Sequence, residues 1–487
     1  DQDNRLVALH GYPHESNLSI RNIVNAAYYL LKKELLINSL PFFVNKSKLD
    51  IAKDIFPLAI KKGYKIFGLN TSEYIKDMGT PERLIFLENI INSGKLKNLS
   101  PGVSKEVIFI DRDGCINKEK GRITNINDLD LIENAAEGIK NFNKSALPVI
   151  CVTNQPVIAR GDINEKDLNS IHSKLDFLLG EKGAYLDCIY FCPHHPDKGF
   201  KGELKKYKIN CNCRKPNSGL LLQAAGEHNI NLSKSWLIGD STTDISAASN
   251  IGVKSILVKT GYGGSDLKIK VKPDYIFKDV FEASIWITKD YQLVKDKVIK
   301  NINNIIQQKL ILVSGLNHSG KSNFAQVMKE LIEGLGFNCH LINTDSWNKQ
   351  NLEEPEYENI FKNYELNALN KFIESALDEN FPIYHNHFIK LSNHIQMSDF
   401  CEVLYPNSII IIEGPPLVKL FEKYKKKALR IFINNNKRER LKNIETNLDS
   451  YKMFYKGTSN LREKMIFNDM NLINDFLNHS DLEIKLN

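Results

Sequence analysis

Two aspartates one residue apart, Asp111 and Asp113, stand at the end of a short apolar run within residues 107–117, VIFIDRDGCIN. Neighbouring carboxylates repel unless a cation lies between them, and hard cations such as Mg²⁺ choose oxygen ligands. Further polar groups follow apolar runs in the same manner. Thr153-Asn154-Gln155 ends the run 147–152, and Gly239-Asp240 ends the run 235–238, with Asp244 four residues on. Arg214-Lys215-Pro216 lies between them. A second set is made of soft ligands: Cys192 with His194, and Cys211 with Cys213, sixteen residues separating His194 from Cys211. Two close pairs across a loop suit a closed tetrahedral zinc site, whose role is structural because no position stays open. The alternative is four free side chains in a loop. His194 is the expected ligand, and His195 is left to a supporting or substrate role. A third set is Gly315-Leu316-Asn317-His318-Ser319-Gly320-Lys321-Ser322, which fits GxxxxGK[ST]. Its glycines let backbone N–H groups wrap phosphates at a helix N-terminus. Lys321 would reach the β- and γ-phosphates of ATP, and Ser322 would bind Mg²⁺.

These residues need strands that end at a common edge. Ligands of open α/β sheets bind at the carboxyl ends of the strands. The runs 107–110, 147–152 and 235–238 are short and apolar, as buried parallel strands are. The P-loop lies between a strand at 309–313 and a helix at 323–335. Further strands are expected at 341–344, ending in Asp345, at 408–412, ending in Glu413, and at 429–434. A lysine-rich helical connector, 281–308, joins the two regions. The fold class is α/β throughout.

The DxD, Thr, Lys and acidic-pair series over about 105–290 resembles the haloacid dehalogenase (HAD) superfamily of phosphotransferases. The resemblance implies that Asp111 attacks phosphorus and becomes an aspartyl phosphate. Asp113 then protonates the leaving oxygen and activates water. Mg²⁺ would be held by Asp111, Asp240 and the backbone carbonyl of Asp113, with Asp244 orienting the cluster. Thr153 and Lys215 would neutralise the phosphoryl oxygens. Cys115 stands where the family usually has Thr. CPHHP…CxCRKP, with TNQPVIARG upstream, narrows the likeness to the heptose 1,7-bisphosphate 7-phosphatases, and the length of the zinc loop favours them over histidinol-phosphate phosphatases. That family implies contacts from Arg214, Arg160 and Asn154 to the substrate, Arg214 to its second phosphate.

The third region resembles uridine-kinase-like P-loop kinases. There Asp345 would accept the proton of a substrate hydroxyl and Glu413 would serve kinase magnesium. Gly315, Gly320, Lys321, Ser322 and the lid residue Arg440 would bind ATP. Arg438 and Tyr455-Lys456-Gly457 match further segments of that group, whereas Phe467-Asn468-Asp469 lacks an expected arginine.

The first hundred residues read as strands at 5–9 and 64–68, a helix or strand at 22–31, and helices at 49–61 and after Arg83. YIKDMGTPER and NAAYYL resemble the C-terminal part of sugar-1-phosphate nucleotidyltransferases, with Asp77 at a metal position. The alternative is a Thr-Pro turn capping a helix. That family's Gly-rich start would lie before Asp1, so the sequence as given is expected not to transfer nucleotidyl groups. The expected organisation is 1–100, 101–290 and 300–487.

A chain of 487 residues exceeds one core. A net charge of +7, spread along the chain, suits anionic substrates but not a concentrated nucleic-acid footprint. Half of the eight cysteines fall in the zinc set, which favours a reducing, cytoplasmic setting over a disulfide framework. No 18-residue apolar run or signal-like start is present, so no membrane partner is expected. The expected function is a 7-phosphatase of heptose 1,7-bisphosphate joined to a small-molecule kinase, with Mg²⁺, Zn²⁺ and ATP. The alternatives are a polynucleotide 5′-kinase/3′-phosphatase and a non-catalytic nucleotide-sensing scaffold.

Overall fold

The computed structural model describes residues 5–6, 8–9, 25–69, 75, 78–92, 96, 99–100, 102–199, 201–315, 319–348, 364–378, 382–390, 396–435 and 480–486. They group into two compact units, 1–239 with 246–254 and 240–245 with 255–487.

Six strands make the first sheet: β1 (Ile108–Ile110), β2 (Val149–Asn154), β3 (Cys188–Cys192), β4 (Trp236–Gly239), β5 (Lys254–Val258) and β6 (Tyr275–Phe277). Their spatial order is β3-β2-β1-β4-β5-β6. β1 pairs in parallel with β2 and with β4, Ile110 lying opposite Cys151 on one side and Ile238 on the other. Chain direction across the sheet therefore reverses at β1, and a crevice opens beyond its carboxyl end. All three residues of β1 and all four of β4 are buried, which explains why they carry almost no polar side chains. One face packs Val107, Phe109, Val152 and Leu237 against Leu221, Ala224 and Ala248. The helix Glu165–Glu181 starts with a capping box in which Asn164 and Asp167 exchange hydrogen bonds. It buries Leu168, Ile171, Leu175 and Leu179, the spacing of one helix face.

A second sheet, also parallel, comprises β7 (Leu310–Gly315), β8 (Cys339–Asn343), β11 (Ile409–Glu413), β12 (Leu429–Asn435) and β13 (Leu482–Leu486), in the order β13-β12-β7-β11-β8. An antiparallel pair, β9 (Ile383–Lys390) and β10 (Gln396–Leu404), stands apart from it. The core unites Leu310, Leu312, Ile342, Ile412 and Phe432 with Phe421 and Tyr424. The helix Lys321–Gly334 follows β7, entered through Gly320 at φ +87°.

Local expectations fail where a partner or a backbone angle is missing. Of the strands expected at 5–9 and 64–68, the described residues form one bridge, between Arg5 and Phe67. A two-stranded pairing is marginal by itself. Residues 25–31 form neither helix nor strand, and Ala27 sits at φ +59°, which no helix tolerates. The helix Pro81–Asn92 does form, with Thr80 Oγ1 accepting from Arg83 N. Asp77 lies outside the described residues. The connector is helical but passes from Val280–Ile285 through a π turn, Trp286–Asp290, into Tyr291–Ile305.

Candidate functional site

Because β1 lies between β2 and β4, residues that follow those strands meet at one edge. Asp111 continues the ladder, its N–H donating to Ile238 O at 2.9 Å. Gly114, at φ +83°, then turns the chain back, and its N–H donates to Asn117 O. Lys215 Nζ stands 2.9 Å from Asp111 Oδ1 and donates to Val152 O at 2.8 Å. One carboxylate oxygen each of Asp111, Asp240 and Asp244 lies within 4.8 Å of the other two. Asp240 and Asp244 are buried. Asp244 Oδ2 accepts from both the N–H and the hydroxyl of Ser241, which fixes its direction. Three carboxylates gathered in a buried corner fit a hard divalent cation.

Asp113 lies in different company. Its carboxylate accepts from Arg112 Nε and NH2, from Asn117 Nδ2 at 2.8 Å and from Gln155 Nε2 at 2.8 Å. Burial alone would raise this carboxyl, but the Arg112 guanidinium and these donors outweigh burial and hold it below its usual value. Gln155 also donates to Thr153 Oγ1 at 2.9 Å, which leaves the Thr153 proton to be donated elsewhere. Sequence reasoning missed Arg112, Asn117 and Gln155 as a group. The available signal was the arginine between the two aspartates.

Asn154 uses both ends of its amide on Lys215: Oδ1 accepts from Lys215 N at 3.0 Å and Nδ2 donates to Lys215 O at 3.1 Å. It thereby positions the lysine. The chain bends at Arg214 and turns at Lys215. The two side chains separate, Arg214 NH1 donating to His194 O at 3.2 Å while Lys215 goes to Asp111.

Cys192, His194, Cys211 and Cys213 form one cluster. Their sulfurs stand 3.2, 3.3 and 3.6 Å apart, and His194 Nδ1 lies 3.3 Å from Cys213 Sγ and 3.7 Å from Cys192 Sγ. Bonds of about 2.3 Å to sulfur and about 2.1 Å to nitrogen give tetrahedral edges of about 3.5–3.8 Å, so the donor set fits zinc. The hydrogen bond with Cys192 pulls the Cys213 thiol down, while the Cys192 and Cys211 thiols are pushed up, chiefly by the hydrogen bond with Cys213 for Cys192 and by burial for Cys211. His195 lies outside the cluster, and its Nδ1 accepts from Asp197 N.

Residues 212–283 match the family of HAD-hydrolase-like proteins. The D-glycero-beta-D-manno-heptose-1,7-bisphosphate 7-phosphatase of Yersinia pestis is 39% identical over 160 residues, 32% of this chain and 82% of that one. The chain belongs to the family of these heptose-bisphosphate phosphatases. A solved D,D-heptose 1,7-bisphosphate phosphatase from B. bronchiseptica, complexed with magnesium and phosphate, is 27% identical. It covers 39% of this chain and 99% of its own, with a TM-score of 0.34. A possible uridine kinase from Bacillus stearothermophilus is 12% identical, covering 40% of this chain and 98% of its own, with a TM-score of 0.28. No helix among the described residues is long and apolar enough to cross a membrane.

Beyond the region shared with the heptose-bisphosphate phosphatases, the second sheet forms its own polar edge. β11 pairs with β7, Glu413 lying opposite Val313. Glu413 Oε1 accepts from Ser322 Oγ at 3.0 Å and Asn343 Nδ2 at 2.5 Å. Asn343 Oδ1 in turn accepts from Asp345 N at 2.7 Å. Glu413 Oε2, Ser319 Oγ and Thr344 Oγ1 are buried without a hydrogen-bond partner among the described residues. Burial pushes the Glu413 carboxyl up to about 7; Lys321 opposes this and the Asp345 charge adds to it. Gly315 admits no side chain, since a Cβ there would lie 2.6 Å from Ile433 O. Orphaned oxygens beside a lysine and a helix N-terminus fit a phosphate chain and its cation. Leu316, Asn317, His318, Arg438, Arg440 and the segment Tyr455-Lys456-Gly457 lie outside the described residues.

Proposed function

We propose that residues 101–290 remove the 7-phosphate of D-glycero-D-manno-heptose 1,7-bisphosphate, and that residues 300–487 form an ATP-dependent kinase of a small alcohol. The observation that carries the first part is Lys215 at 2.9 Å from Asp111 on an edge shared with Asp240 and Asp244. It occurs in a chain 39% identical over that region to a phosphatase of this name.

In this reading Asp111 attacks phosphorus, the sugar oxygen leaves, and an aspartyl phosphate forms. Lys215 and the Thr153 hydroxyl meet the phosphoryl oxygens. Asp111, Asp240 and the Asp113 carbonyl would hold Mg²⁺, which would neutralise the phosphoryl charge. Arg112, Asn117 and Gln155 favour ionised Asp113. That form takes a proton from the water that hydrolyses the intermediate. The first half needs Asp113 protonated, and the negative charge of the incoming phosphate favours this. Cys192, His194, Cys211 and Cys213 would hold zinc and so fix the backbone leading to Arg214 and Lys215.

Support for the kinase is the meeting of Ser322, Asn343 and Glu413 at the end of β7 and β11. Asp345 would accept the proton of the alcohol. Residues 1–100 are proposed as the C-terminal part of a nucleotidyltransferase-like domain on the resemblance alone.

The test is phosphorus NMR of products from a panel of sugar phosphates. We expect the 1-phosphate to survive and heptose 1,7-bisphosphate to be preferred over heptose 7-phosphate by at least about tenfold, from one charge-assisted contact. Arg214→Ala should erase most of that preference. Equal efficiency on both substrates in the unmodified protein would refute the substrate.

A further inference from the structure

We propose that Asp266 is a positioning residue for the phosphatase. It locks the turn that grips Asp240, and so sets how tightly the corner made by Asp111, Asp240 and Asp244 holds a divalent cation. This rests on the phosphatase reading above and deepens it with a residue that lies outside every motif.

β5 ends at Val258, and the chain then turns through residues 261–266. This turn holds Asp240 at two points. Gly264 N donates to the Asp240 carbonyl oxygen at 2.8 Å, and Tyr262 N donates to Asp240 Oδ2 at 2.7 Å. The first bond places the backbone of Asp240, and the second sets the direction of its carboxylate. Hydrogen bonds to a metal-binding carboxylate orient it and tune its affinity.

The turn does not hold its shape unaided. Gly264 sits at φ +83° and Leu267 at φ +43°, a region that side chains as bulky as leucine rarely enter. Such conformations persist where surrounding bonds over-determine them. Asp266 supplies two of those bonds. Its Oδ1 accepts from Thr242 N at 2.8 Å and its Oδ2 from Thr242 Oγ1 at 2.6 Å. The Thr242 hydroxyl also accepts from Ile269 N at 3.2 Å, so residues 266 and 269 close on one buried threonine. Thr242 opens the helix Thr242–Ser249, in whose first turn Asp244 lies. The first N–H groups of a helix lack partners within it, and a carboxylate is the group that a helix start favours. Asp266 thereby ties the turn that holds Asp240 to the helix that carries Asp244. Without that tie, Tyr262 N and Gly264 N are free to move away from Asp240.

The experiment titrates zinc-loaded protein with Mn²⁺, counting free Mn²⁺ by electron paramagnetic resonance, and follows phosphate release from heptose 1,7-bisphosphate against Mg²⁺ concentration. Mn²⁺ stands in for Mg²⁺ because both choose carboxylate oxygens. Asp240→Asn identifies which bound Mn²⁺ belongs to this corner. Asp266→Ala should weaken that site about tenfold, the equivalent of one or two hydrogen bonds, and raise the Mg²⁺ concentration for half-maximal phosphate release to match. Excess Mg²⁺ should restore kcat. Asp266→Asn keeps an oxygen for Thr242 N and an amide for the hydroxyl, and should retain most of the affinity. Thr242→Val removes the hydroxyl bonds alone and should weaken the site in the same direction, which carries the test if Asp266→Ala does not fold. Unchanged Mn²⁺ affinity in a folded Asp266→Ala or Thr242→Val protein overturns the proposal. So does a loss of phosphate release that excess Mg²⁺ leaves in place, since a merely structural residue behaves in that way. Unmodified protein without an Mn²⁺ site that Asp240→Asn removes overturns the reading of the corner itself, and this inference with it. That failure is read in the unmodified protein and the others in the variants, so the two are distinguishable.

Discussion

Two sheet edges in this chain gather the same kinds of side chain and treat charge differently. At the first edge Asp111 faces Lys215 at 2.9 Å, and Asp113 faces Arg112 with two amides. Arginine and amides outweigh burial, and Asp113 is held low. At the second edge Glu413 meets a hydroxyl and an amide, and burial pushes it up to about 7 despite Lys321. Coulomb attraction in a buried site counters the cost of desolvating a carboxylate only when the cation is close. The first edge therefore supplies countercharge for the groups proposed to do covalent work. The second leaves its carboxyl raised, so that it is only partly ionised near pH 7.

The largest expected effect tests whether the two edges are separate machines. Asp111→Asn should lower phosphate release by at least about 10³-fold while ATP binding, measured by calorimetry, stays intact. Lys321→Ala should do the reverse. Loss of both activities from either change in folded protein would end the comparison.

A smaller effect concerns the scaffold of the first edge alone. Cys211→Ser should take zinc from about one per chain toward zero by elemental analysis. The melting transition should fall by about 10 °C, since a structural zinc contributes several kcal/mol. Phosphatase activity should fall with it, because Lys215 follows only four residues later, and ATP binding should persist. An unchanged transition in zinc-free protein would show that the cluster does not staple this loop.

The smallest effect isolates the rule behind the comparison at a carboxylate just before β3, at the amino-terminal end of the first sheet's strands. Asp187 accepts from Val149 N at 2.7 Å, and burial pushes it from its ordinary 3.8 up to about 7. A carboxyl raised in the folded state holds its proton more tightly there than in the unfolded chain. Its stabilisation is therefore fully present below pH 3.8 and is lost as pH rises toward 7. The loss amounts to at most about 4 kcal/mol, at about 1.4 kcal/mol per pH unit. Asp187→Asn should flatten the dependence of unfolding free energy on pH between about 4 and 7 in urea titrations. An identical slope in the variant would show that burial does not raise this carboxyl.

Much of this was legible because parallel strands buried on both faces must be apolar, so the polar residue that ends each one stands out. Asp111, Thr153, Asp240 and Glu413 were visible for that reason. The helix at Lys321 and the Cys-His spacing were visible because turns and metal geometry restrict residue type. The strands expected at 5–9 and 64–68 show a single bridge among the described residues, since local pattern does not reveal how far a pairing will extend. Arg112 was overlooked because its partner, Asp113, is set by a turn rather than by alternation. Asn154 looked like a ligand-facing polar group, yet its amide is used on the backbone of a residue 61 positions away.

By itself, then, the order of residues singled out the candidate groups for attack, metal binding and phosphate wrapping, because candidacy depends on atom type and short spacing. Tertiary structure decided how far each charge is compensated. The Gln155 amide on Asp113, the burial of Glu413 and the Asn154 amide on Lys215 arise from contacts between segments distant in the chain. A carboxylate's ionisation follows all that surrounds it in space, and the neighbouring Arg112 supplies only the local part of that.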